Sequence, residues 1–282
     1  MKVRSPCQAG AFYAGTKSSL TKQIENCFIH KFGPGKLPQV NRKGKRNIVA
    51  LVCPHAGYMY SGAVAANSYY SLANDGVPQT AIILGPNHTG MGSGVSMMVE
   101  GAWETPLGTS SIDTVTAKKI LEQTKIIDTD ESAHRLEHSI EVQLPFLQYV
   151  YGLGIRFVPI CMMMQDLTTS CEVGEAISNA VGSSNAVIIA SSDMTHYENQ
   201  TDASKKDRLV IEQILSLDEE ALQETVESEN VSMCGYGPVT AAIRAARVLG
   251  AKDASLLSYK TSGDMTGDTS SVVGYASISM TK

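Results

Sequence analysis

Three apolar runs in this chain end in histidine. NIVALVC (Asn47–Cys53) leads into Pro54, His55, Ala56 and Gly57, and TAIIL (Thr80–Leu84) leads into Gly85, Pro86, Asn87 and His88. AVIIA (Ala186–Ala190) leads into Ser191, Ser192, Asp193, Met194, Thr195 and His196. An imidazole changes charge near neutral pH and offers a ring nitrogen to a proton or a metal. One such residue alone reads as a loop histidine bonded to a carbonyl. Three on equivalent exits read as one shared site, because ligands of open α/β sheets bind outside the carboxyl ends of the strands. Asp193, three residues before His196, is suited to orienting that ring or reaching a metal.

Two further stretches carry chemistry. In SMCGYGP (Ser232–Pro238), Cys234 approaches the start of a helix, whose positive dipole end favours the thiolate that binds metal or attacks an electrophile. A small buried residue in a tight turn is the plain alternative. In EHSIEVQLPFL (Glu137–Leu147), Glu137 and Glu141 lie one helical turn apart and so share a face. Glu137 suits a capping role; His138, Glu141 and Asn87 are candidates to line the pocket or support its ligands. His134 and His30 read as solvated. The Ser/Thr-rich run YKTSGDMTGDTSSVVGYA (Tyr259–Ala276) supplies either a wall over the site or an ordinary hairpin connection.

The elements that must position these groups follow from hydrophobic patterning. Strands are expected over 47–53, 80–84, 155–160, 186–190, 255–259 and 272–278. Helices are expected near 17–30, 62–74, 114–123, 138–150, 170–181, 203–215, 218–228 and 237–249. Strands that are apolar throughout imply a sheet covered on both faces, hence a layered α/β fold with a mostly parallel or mixed central sheet. No linker or repeat divides residues 1–282, which read as a single domain.

Composition narrows the function. The chain has 282 residues, 43% of them hydrophobic and 18% charged, with a formal net charge of -5. Its lysines and arginines are dispersed, which argues against nucleic acid as a partner. No run reaches membrane-spanning length, Arg4 and Pro6 interrupt any signal-peptide core, and six cysteines without a CxxC pair fit reduced thiols in the cytoplasm. Neither GxxxxGK[ST] nor a strand-linked GxGxxG is present, so no nucleotide cofactor is expected.

Taken in order, RSPCQAGAFY, VCPHAGYMYSG, ILGPNHTG, EHSIEVQLPFLQ, ASSDMTHY, MCGYGP and SGDMTGDTSSVVGYA resemble the Memo (mediator of cell motility) family along essentially the whole chain. One departure is Ala14, where the family pattern has Pro after Phe-Tyr. The resemblance implies a fold similar to class III extradiol ring-cleaving dioxygenases, which are non-haem Fe(II) enzymes. It implies that His55 and His88 are metal ligands, that His196 is the acid/base histidine, and that Cys234 replaces a carboxylate ligand. A thiolate in that position softens the site toward Zn, Cu(I) or a differently tuned Fe. The family is also associated with metal-dependent redox activity and, in animal members, with peptide binding.

Three functions remain open: a metal-dependent oxidoreductase using His55, His88, Cys234, Asp193 and His196; a non-catalytic module binding a peptide or protein; and a zinc-dependent hydrolase. The expected cofactor is a divalent or redox-active metal, Fe(II) or Cu, with Zn as the further option. The expected partner is a small molecule or peptide, and homo-oligomerisation is left open.

Overall fold

The computed structural model describes residues 2–282. Its strands are β1 (Val3–Arg4), β2 (Ile48–Cys53), β3 (Thr80–Pro86), β4 (Val95–Met97), β5 (Ala102–Thr105), β6 (Gly108–Ser111), β7 (Asp128–Thr129), β8 (Arg156–Met162), β9 (Ala186–Ser191), β10 (His196–Glu198), β11 (Asp253–Thr261) and β12 (Val272–Thr281). The helices are α1 (Lys17–Ile29), α2 (Tyr58–Asp75), α3 (Thr114–Gln123), α4 (Leu144–Tyr151), α5 (Leu167–Val181), α6 (Gln200–Leu215), α7 (Glu219–Ser228), α8 (Tyr236–Val248) and the short α9 (Ser262–Thr266).

The main sheet runs β10-β12-β2-β9-β3-β8-β4-β7, with β11 against β12. Its centre is parallel: β9 lies between β2 and β3 and is parallel to both, and β8 is parallel to β3. Antiparallel β12 and β4 flank that block. Alternation within each central strand divides its side chains between two cores. Leu51, Cys53, Ala81, Ile83, Val187 and Ile189 face the core containing α1, α2 and α4 residues such as Phe28, Tyr69 and Phe146. Ala50, Val52, Ile82, Leu84, Ile188 and Ala190 face Val173, Ile177, Ile211 and Ile243 of α5, α6 and α8. This is the layered α/β architecture expected from the apolar runs.

All six expected strands are present. The helix expected over 138–150 is a correction: residues 141–143 form a 3-10 turn, and α4 starts only at Leu144 with Pro145 in its first turn. Proline lacks the N–H that a continuous helix would need to donate to the Glu141 carbonyl, so regular helix begins around it. Glu137 and Glu141 therefore do not share a helical face.

A second, three-stranded sheet joins β1 to β5 in parallel and β5 to β6 antiparallel. It pins the N-terminal segment, setting the Arg4 guanidinium 4.2 Å from the centre of the Trp103 ring. No helix among the described residues is long and apolar enough to cross a membrane. The six cysteines are free, with Cys27, Cys53 and Cys161 buried.

Candidate metal centre

Because β2, β9 and β3 are adjacent and parallel, their carboxyl ends open on one edge of the sheet. His55 follows β2, His88 follows β3, and Asp193 and His196 follow β9. All four line a cavity of 920 Å³, together with His138 and Cys234. The rings of His55 and His88 are 5.2 Å apart, those of His55 and His138 5.3 Å, and those of His88 and His138, stacked, 4.5 Å. Each of these three histidines presents a ring nitrogen within 4.8 Å of the others'. Cys234 Sγ lies 3.2 Å from His55 Nε2.

Close backbone approach makes the last contact feasible. Gly235, just before α8, donates its N–H to Ser192 Oγ, and a Cβ there would come within 2.5 Å of the Ser191 carbonyl. Glycine thus lets the Cys234 turn lie directly on the end of β9. Gly85 serves β3 likewise, since a Cβ there would collide with Ser139 Oγ.

Glu137 anchors two of the histidines. Its carboxylate accepts from His88 Nδ1 at 2.9 Å and from the backbone N–H groups of His88, His138 and Ser139. Burial alone would raise its pKa, but the hydrogen bond and charge interaction with His88 outweigh that and hold it at about 2. Because a carboxylate only accepts, it directs the His88 Nδ1–H and leaves Nε2 as the nitrogen that could serve a metal. His196 does the same through Nδ1, which donates to the Ser232 carbonyl at 2.8 Å.

Asp193 orients a different group from the one expected. Its Oδ1 accepts the backbone N–H of His55 at 2.8 Å, whereas the His196 ring is held by Ser232. Burial raises Asp193 to about 6, opposed by the His55 amide and the nearby His196. Burial likewise lowers His55 well below its ordinary value and His138 to about 4. Both imidazoles are thus neutral at pH 7, the form that ligates metals.

Cys234 departs from the thiolate expectation. Although it opens on the cavity, protein atoms surround it, and burial, reinforced by Asp193, pushes its thiol pKa up. Desolvation outweighs the dipole of α8 here; only a cation beside the sulfur would restore the thiolate.

The other expected residues fall as follows. Asn87 does not line the cavity; its Oδ1 accepts from Thr89 and Gly90 and shapes the turn holding His88. Glu141 faces away from the site, bonded to Arg4, Cys7, Gln8 and Tyr13. His134, expected in solvent, is fully buried against Trp103. His30 is half-buried and accepts the Phe32 N–H. The Ser/Thr-rich run lines the cavity through Ser262, Thr266, Asp268 and Ser271.

Sequence reasoning assigned no role to Ser191, Ser232 or Phe12, whose ring packs 4.8 Å from His138. The only signal for Ser191 was its place, level with Cys53 in the β2–β9 register at the end of an apolar strand.

The donor set suits a metal. Imidazoles, two of them with Nδ1 tied back to an oxygen partner, and a thiol among them are the ligands of soft to borderline ions.

Known proteins place the chain. A solved structure of an uncharacterized protein from Escherichia coli K12 shares the fold, with a TM-score of 0.55 at 13% identity, covering 82% of this chain and 99% of that one. A MEMO1 family protein of Methanopyrus kandleri is 54% identical, covering 98% of both chains. Another, from Methanothermobacter thermautotrophicus, is 50% identical over 98% of this chain and all of its own. The Memo-like protein family pattern matches residues 4–279, and the chain belongs to that family.

Proposed function

We propose that this protein holds a redox-active metal at the floor of the cavity and uses it on a small molecule or peptide bound above. The observation supporting this is the group of three histidines with ring nitrogens within 4.8 Å of one another and the Cys234 sulfur 3.2 Å from one of them. His55, His88 and Cys234 would hold the ion, with His138 as the further donor the fold supplies; Fe(II) or Cu is the proposed metal. Such an ion, when bound, supplies electron transfer or polarisation of an oxygen atom.

The chain's own residues do the rest. His196, with Nδ1 committed to Ser232, has Nε2 available to take or give one proton. Asp193 fixes the His55 backbone. Phe12, Tyr60 and Tyr275 line the cavity together with Ser262, Thr266 and Ser271, so it suits an occupant with a flat apolar body and a polar end. The free thiols fit a cytoplasmic setting.

Metal content of protein purified without air is the test. One Fe or Cu per chain, lost in His55→Ala and in Cys234→Ser, is the expected result; no stoichiometric metal, or uptake unchanged in both variants, overturns the reading. His138→Ala separates the donor sets, since retention there leaves a His/His/Cys site. Zinc with oxygen-independent turnover would favour the hydrolase instead. Partner binding that survives loss of all three ligands would favour the binding module, for which the exposed mouth residues Met59 (71%) and Tyr197 (79%) speak.

A further inference from the structure

His88 and His196 are held by a carboxylate and a carbonyl, groups that only accept, so the proton on each Nδ1 follows directly. His55 differs: its Nδ1 lies 2.9 Å from the Ser191 hydroxyl, which can give or take a proton. The atoms behind Ser191 resolve the direction.

Ser191 Oγ is 2.6 Å from the Ser139 carbonyl, which only accepts, so the single hydroxyl proton is committed there. Gln143 Nε2 lies 3.0 Å from the Pro54 carbonyl and 2.8 Å from Ser191 Oγ. The Pro54 carbonyl needs a donor, which fixes the amide with its NH2 on this side, donating to Ser191 as well. Gln143 Oε1 completes the chain by accepting the Tyr69 hydroxyl at 2.6 Å. One lone pair of Ser191 is thus taken by Gln143, and the other is left for an N–H from His55. Tyr69, Gln143, Ser191 and Ser139 are all buried, so water does not substitute for any of them.

We infer that the buried chain Tyr69–Gln143–Ser191 is a tautomer lock: it keeps the His55 proton on Nδ1 and leaves Nε2, 3.2 Å from Cys234 Sγ, as a lone-pair donor. Ser191 and Gln143 are positioning residues acting through His55. Without them the imidazole is free to carry its proton on Nε2, the atom that the proposed metal would need. The lock deepens that metal reading, yet it is measurable without metal.

The test is the ring-nitrogen correlation spectrum of 15N-histidine-labelled, metal-free protein at pH 7.5, with His55 assigned by its absence in His55→Gln. Wild type should show His55 protonated on Nδ1. Ser191→Ala should move the proton wholly or partly to Nε2, Gln143→Met should do so to a smaller degree, and Ser191→Thr, which keeps the hydroxyl, should restore the wild-type pattern. Affinity for Zn(II) alone, measured by competition with a chelating dye, should fall about 10- to 100-fold in Ser191→Ala and recover in Ser191→Thr. An Nε2–H tautomer in the wild type overturns the inference without any variant, and so does an unchanged spectrum in Ser191→Ala. A moved proton with unchanged zinc affinity supports the lock and overturns the ligand role of His55.

Discussion

Glu137 and Glu141 are four residues apart, both fully buried and both held as carboxylates, yet they serve different regions. Glu137 is surrounded by imidazoles and peptide N–H groups at the candidate metal centre. Glu141 is surrounded by the Arg4 guanidinium at 2.5 Å, the Tyr13 hydroxyl at 2.6 Å and the N–H groups of Cys7 and Gln8. A guanidinium satisfies one carboxylate, and imidazole and peptide N–H groups satisfy the other. The first arrangement ties down the N-terminal segment; the second orients the His88 ring and the turn that carries His138.

The largest effect should come from breaking the ionic side. Arg4→Met strands the Glu141 charge in the interior and should cost about 3–5 kcal/mol in denaturant unfolding at neutral pH. Adding Glu141→Gln should recover part of that loss, because the uncompensated charge disappears. If the single variant is as stable as wild type, the pair contributes nothing and the contrast with Glu137 fails.

Next is His134, on the Glu141 side, where Arg4 donates to its carbonyl. Neither ring nitrogen has a hydrogen-bond partner, although the Ser96 backbone weakly favours the protonated ring. Burial, followed by Arg4, lowers the pKa from 6.5 to about 4. On acidification the unfolded chain takes up this proton first, so stability is full above pH 6.5 and falls as pH drops toward 4. His134→Leu should remove roughly 2–3 kcal/mol of that acid loss in metal-free protein, seen in urea midpoints at pH 7.5 and 4.5. His55 and His138, also lowered, keep a residual acid slope.

The smallest effect belongs to Glu137→Gln. Its amide would put an NH2 against a backbone N–H, loosening the His88 and His138 rings. Zn(II) affinity should fall about 10- to 100-fold, equivalent to about 1.4–2.7 kcal/mol. A loss in Glu141→Gln as large as in Glu137→Gln would show that both carboxylates serve the metal centre.

The same pair shows what the sequence disclosed. The central strands were legible because they are apolar throughout and stop at Gly, Pro or Ser, and their parallel order carried His55, His88 and His196 to one edge. The short strands β4 to β7 were not legible, being only two to four residues long. Glu137 was misread through helical spacing, although Pro145 already marked where a helix had to begin. His134 lies in a polar run that reads as solvated; its burial comes from Trp103 and Arg4, which no local pattern reveals. Gln143 and Ser191 gave no signal, because a hydrogen-bond chain through three elements distant in sequence has no sequence period.

The position of β9 also bears on how the molecule is made. β2 and β3 are synthesised early but do not pair with each other, since β9 occupies the place between them. A nascent chain carrying His55 and His88 therefore has two facing strand edges left open and no strand pairing to fix the distance between these histidines until β9 has been made. Long-range parallel pairing of this kind is slow and leaves edges open to aggregation. The histidine cluster is thus assembled late, by insertion of the strand that also brings Ser191, so a ribosome-stalled chain ending before β9 should lack it altogether.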